Sequence, residues 1–205
     1  MDIVIVVSFV AIAGRQRSDM SVISLNCHDG LTHAALDRLR AGDSVELTGR
    51  VISLRDASAA RLTRALEAGE PSPISLERQI LYAVGPSPPK PGQIIGSAGP
   101  TTTARLVRFL PVLFDAGVRA IIGKGELHGD DASGFIKNRT VYFAAIGGLG
   151  ALLGKQISSA TVVAYDDLGP EALYTLEINA FPMVVIIDRQ GGNFHETARA
   201  RWRKT

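Results

Sequence analysis

Four short runs, "ILYAV" at 80–84, "AIIG" at 120–123, "VYFAAI" at 141–146 and "MVVII" at 183–187, are apolar at almost every position. A strand with one wet face alternates polar and apolar residues. These runs do not, so a sheet built from them must be covered on both faces. Between them lie segments with helical spacing. "LTHAALDRLRAGD" sets Leu31, Ala34, Ala35 and Leu39 on one face and stops at Gly42-Asp43. "RDASAARLTRALEAGE" turns Ala57, Leu62, Ala65 and Leu66 inward and stops at Gly69. "SVELTGRVISL" reads as a bent strand or hairpin around Gly49, and "IIGSAGP" as a strand then a turn. The next run peaks at Leu106, Phe109, Leu110 and Leu113, a helix that Pro111 kinks or divides. "GDDASGFIKNR" is a polar loop or poor helix, and "VVAYDDLG" a further strand. Strands and helices intermix, so the expected class is α/β with a mixed, largely covered sheet.

The 205 residues suffice for one domain with a substantial core. The formal charge of +2 is misleading, because "RARWRKT" (199–205) holds four of the 22 basic residues and no acid. Without that basic tail the body has 18 bases against 20 acids. A solvated tail rather than a nucleic-acid contact is expected. Residues 1–20 carry an apolar stretch, Ile3–Ala13, too short to span a bilayer. Its flank has Asp2 and no positive charge, so an N-terminal extension or leader, with Met1 or Met20 as the start, and a cytoplasmic domain over 21–198 are expected. Cys27 is the single cysteine. It excludes an internal disulfide and a CxxC metal site, and a small semi-buried residue is expected there. His128 and His195 read as exposed.

Chemistry gathers at strand ends in α/β proteins. Three cations fall there: Arg55 after "VISL", Arg105 after "GPTTTA", and Lys124 in "GKG". Arginine pairs bidentately with carboxylate or phosphate, and lysine supplies a compact charge. Thr101, Thr102 and Thr103 add hydroxyls at what reads as a helix mouth, where free N–H groups favour anions. The set reads as an anion site with room for two or more negative groups. Each part has a plainer reading: a helix cap, an Arg55–Asp56 surface pair, a turn lysine. "GKG" also lacks the spacing of a phosphate loop.

In order, "GDSVELTGRVISLRDASAARL", "YAVGPSPPKPGQIIGSAGPTTTAR", "AIIGKGE", "VYFAAIGGLGALLGK" and "VVAYDDLGPEALYTLEINAFPMVVIIDRQGGN" resemble the β subunit of iron–sulfur hydro-lyases. These are the class I fumarases and L(+)-tartrate dehydratases. The resemblance spans about Leu31 to Glu196. It implies a swivelling β/β/α fold and reversible addition or removal of water on a small dicarboxylate, fumarate/malate or tartrate/oxaloacetate. It implies Thr101 as the catalytic base, with Thr102, Arg55, Arg105 and Lys124 binding substrate. A 4Fe–4S cluster would sit on a partner α subunit bearing three cysteines, with no metal on this chain. The implied assembly is a hetero-oligomer, a homodimer of heterodimers being one arrangement, with neither nucleic acid nor membrane as partner. Departures from the pattern are Ala59 for histidine, Ala104 for glycine, Val107 for aspartate, and Glu126 after "GKG". They leave open another hydroxy-diacid, or a dicarboxylate-binding or structural paralogue without catalysis.

Overall fold

A computed structural model describes residues 21–202; the apolar stretch Ile3–Ala13 and the choice between Met1 and Met20 lie outside them. Seven strands form one mixed sheet: β1 (Ile23–Asn26), β2 (Ser44–Leu54), β3 (Ile80–Ala83), β4 (Ala120–Gly123), β5 (Val141–Ala144), β6 (Ile157–Ala164) and β7 (Leu173–Ile187). The order is β1-β2-β3-β4-β5-β7-β6, with β2 also pairing β7. That extra pairing closes β2, β3, β4, β5 and β7 into a ring. The β2–β5 ladders are parallel, while β7 runs antiparallel to both β5 and β2.

The period of two along each strand sorts the apolar side chains onto two cores. Ile80, Tyr82, Ala120, Ile122, Val141 and Phe143 point into the ring with Leu47, Val51 and Phe181. Their neighbours Leu81, Ala83, Ile121 and Tyr142 face outward onto helices α2 (Asp56–Glu67), α3 (Leu110–Asp115) and α4 (Gly129–Lys137). Hence no strand among β3–β5 could afford a polar face. Remaining helices are α1 (His33–Asp37), α5 (Gly150–Lys155) and α6 (Phe194–Trp202).

Several expectations shift. "SVELTGRVISL" is one bent strand, with its register slipping against β7 between Leu47 and Gly49. Helix α1 has only five residues. Helix α2 buries Ser58, Ala59, Leu62 and Thr63, whereas Ala57, Ala65 and Leu66 are half-buried. Its two hydroxyls can face inward because each is satisfied locally: Ser58 Oγ donates to the Arg55 carbonyl (3.2 Å) and Thr63 Oγ1 to that of Ala59 (2.8 Å). "IIGSAGP" forms no strand. Its backbone instead folds onto the proline-rich loop, with Ser87 N donating to Ser97 O and Gly96 N to Ser87 O. Helix α4 is formed, and no described helix is long and apolar enough to cross a membrane.

Candidate active site

Because β2, β3 and β4 are parallel neighbours, their C-terminal ends open at one edge of the sheet. Arg55 leaves β2 there and Lys124 leaves β4. The threonine segment threads between. Thr101 N donates to Ala83 O (2.7 Å), Lys124 N to Thr101 O (3.1 Å), and Thr103 N to Lys124 O (2.9 Å). Thr102 thus pairs with Lys124 as a parallel bridge.

This placement corrects the helix-mouth expectation. The chain passes through two 3-10 turns, Thr103–Arg105 and Val107–Phe109, before α3 restarts with Pro111 in its first turn. The N–H groups of Thr101 and Thr103 are spent on sheet carbonyls and are not free for an anion.

The segment is fixed from below. Thr103 is fully buried, and its Oγ1 donates to the Tyr142 hydroxyl (3.0 Å), which donates to Gly125 O (2.8 Å). Burial pushes the Tyr142 hydroxyl up to about 12, with the Thr103 bond pulling slightly the other way. One relay thereby ties the threonine segment, the "GKG" loop and β5 together. Gly123 is needed where it stands, since a Cβ there would collide with Thr103 Oγ1.

Arg55 and Arg105 converge on a single carboxylate. Arg105 Nε donates to Asp56 Oδ1 (3.0 Å), and Arg55 Nε lies 3.7 Å from Asp56 Oδ2. Arg55 Nε is also 3.4 Å from Glu171 Oε1, whose Oε2 accepts from Ala57 N (2.8 Å) in the first turn of α2. Arg55 lies across Gly85, its Nη1 only 2.6 Å from where a Cβ would be. The two groups of residues are joined through Arg105, whose N–H donates to Thr102 O (3.2 Å). Lys124 extends toward Gly147, its Cδ 3.5 Å from the position of a Cβ there. No ion pair holds its ammonium among the described residues. Thr101 Oγ1 donates to Ala83 O (3.1 Å), which turns its lone pairs away from the sheet.

Among the departures, Ala59 is fully buried on the inner face of α2, Val107 half-buried and Ala104 exposed. Glu126 sits 3.5 Å from His128 and pairs with Arg199 of α6. His195 is half-buried, not exposed, and burial lowers its pKa from the ordinary value.

Over residues 8–198 the sequence matches the family described as Fumarase C-terminus. The chain belongs to this family. A Methanocaldococcus jannaschii protein provisionally named L(+)-tartrate dehydratase subunit beta is 33% identical over 175 residues, covering 81% of this chain and 88% of that protein. The Escherichia coli L(+)-tartrate dehydratase subunit beta is 30% identical, over 77% of this chain and 80% of its own. The anaerobic class I fumarate hydratase of Escherichia coli is 31% identical over 80% of this chain, but the match covers 30% of that enzyme. This Fumarase C-terminus chain therefore spans most of a tartrate dehydratase β subunit and less than a third of a fumarate hydratase. These relatives are hydro-lyases or subunits of them.

A cluster-type cofactor does not fit the cysteine of this Fumarase C-terminus chain. Cys27 is fully rather than partly buried, its Sγ donates to Arg50 O (3.3 Å), and burial with nearby Glu177 pushes the thiol up to about 12. A thiol held protonated is a poor metal ligand. Among the described residues no group of three or more histidine, cysteine or acidic side chains could hold a metal ion. Asp56 and Glu171 are the functional candidates that the sequence reading missed. Asp56 was legible only as a neighbour of Arg55, and Glu171 only as part of "YDDLGPEA".

Proposed function

We propose that this chain is the β subunit of a heteromeric hydro-lyase that adds water to, or removes it from, a small dicarboxylate of the fumarate/malate or tartrate/oxaloacetate kind. The observation that carries the reading is the convergence of Arg55 and Arg105 at the mouth of the threonine segment. Two guanidiniums, with the Lys124 ammonium as a third cation, suit two carboxylates, and each charge-assisted contact contributes about 1.5–3 kcal/mol. The substrate carboxylates are anchored by Arg55, Arg105 and Lys124, with Thr102 at the rim. Thr101 Oγ1 first yields its own proton to a carboxylate of the α partner, then as an alkoxide takes the proton leaving the substrate carbon, while hydroxide departs from the neighbouring carbon. A threonine hydroxyl is a weak base, so nearby positive charge must lower the cost of its alkoxide. The same cations stabilise charge that builds on the substrate carboxylate.

A 4Fe–4S cluster would belong to an α partner, as the β-subunit names of the tartrate dehydratase relatives suggest. A cytoplasmic location accords with this reading. Co-expression with a cluster-bearing α subunit should yield a complex in which fumarate absorbance falls or tartrate yields oxaloacetate. If a cluster-loaded complex turned over no hydroxy-diacid, the assignment would be wrong. Ala59 favours a second reading, a paralogue that binds a diacid without converting it. That reading predicts dicarboxylate binding without turnover.

A further inference from the structure

Asp56 and Glu171 fill a role beyond ordinary surface pairing. The two arginines meet these carboxylates differently: Arg105 Nε donates a hydrogen bond to Asp56 at 3.0 Å, whereas Arg55 Nε is buried without a hydrogen-bond partner and makes only ion pairs, at 3.7 Å from Asp56 and 3.4 Å from Glu171. A guanidinium presents two bidentate edges, one with Nε and one with the two Nη groups. In Arg105, occupying the Nε edge leaves the terminal edge for another partner. Arg105 is 55% exposed, so that edge is open to a ligand.

We infer that Asp56 and Glu171 are positioning residues that yoke the two arginines, Arg105 by its hydrogen-bonded Nε edge and Arg55 by charge, and so keep both guanidiniums together for a dicarboxylate. The ligand class rests on the hydro-lyase reading above; the yoke itself does not. Without it, two like charges would splay apart, because Asp56 is the anion between them. Glu171 anchors its own carboxylate on the Ala57 N–H, so Arg55 is held from a rigid helix start rather than from a flexible loop. Arg55 has no other room, since its guanidinium lies over Gly85. Charge balance agrees: Arg55, Arg105 and Lys124 against Asp56 and Glu171 leave a net positive site, which suits an anionic ligand.

The opposite possibility is that Asp56 competes with the ligand and must be displaced. The two make opposite predictions. Full-length Asp56→Ala, Asp56→Asn and Glu171→Gln would be compared with the wild-type chain by NMR of arginine Nε–Hε groups, then in the α–β complex by steady-state kinetics. The Arg105 Hε signal should be slowly exchanging in the wild type and should shift and exchange faster in Asp56→Ala. KM for the dicarboxylate should rise about tenfold to a hundredfold in Asp56→Ala, the scale of one or two lost charge-assisted contacts. It should rise less in Asp56→Asn, which keeps an acceptor oxygen. Unchanged melting temperatures in Asp56→Asn and Glu171→Gln would separate this from misfolding. An unmoved Hε signal, or a KM that falls in Asp56→Ala, overturns the yoke. If the signal responds yet neither chain nor complex takes a dicarboxylate, the yoke stands and the hydro-lyase reading fails.

Discussion

Removing the Tyr142 hydroxyl should destabilise the fold out of proportion to the single oxygen lost. Tyr142→Phe keeps the ring that packs against Phe135, whose centroid is 5.6 Å away. It strips Thr103 Oγ1 of its acceptor and Gly125 O of its donor. Thr103 is fully buried, so water cannot replace the partner. A stranded buried hydroxyl costs about 1–3 kcal/mol, and a neutral hydrogen bond to a part-buried carbonyl about 0.5–1.5 kcal/mol. The expected loss is therefore roughly 2–4 kcal/mol in urea unfolding. Thr103→Val in the same background should restore about 1 kcal/mol or more, because two apolar partners leave no hydroxyl stranded. The reasoning is refuted if Tyr142→Phe costs under about 0.5 kcal/mol, or if the double variant loses the full sum of the two single losses.

Two further outcomes follow from the same structure. Gly85→Ala should push Arg55 off its seat and raise KM for a dicarboxylate while leaving the urea midpoint near that of the wild type; an unchanged KM would show that Arg55 does not need that seat. Alkaline pH should weaken the fold in a defined window. Burial raises Tyr142 from 10.0 and Cys27 from 9.0, each to about 12, so the neutral forms are favoured in the folded state. Their contribution is complete below about pH 9 and is lost as pH climbs toward about 12. Urea midpoints from about pH 8 to about pH 11 should fall less steeply in Tyr142→Phe and Cys27→Ala, and parallel slopes would contradict the assignment.

How far the sequence could be read depended on the range of the interactions involved. Strands β3, β4 and β5 were legible because burial on both faces leaves a continuous apolar run, a local signal. Gly69, with φ of +74°, ends α2 where the pattern stops. The face of α2 was misread because Ser58 and Thr63 look polar until their local hydrogen bonds are known. "IIGSAGP" looks like a strand, yet its partner is a proline-rich loop rather than a sheet neighbour. Strand β7 could not be foreseen as one element of 15 residues, since Ala180 has φ of +47° and Pro182 interrupts the pattern. At the site, the three cations stood out because charge at an apolar strand end is conspicuous. Asp56 and Glu171 did not, because their meaning lies in what they touch across 49 residues to Arg105 and 116 back to Arg55.

The closure of β2 onto β7 sets the order in which this protein can be born. Ser44 is registered against Val184, so the first long strand waits for its mate until about 140 further residues have been made. Until then β2 presents an open apolar edge to the cell, and contacts so distant along the chain form slowly. Holding that edge safe during synthesis, by chaperone or by fast helix docking, is thus a requirement of the architecture itself.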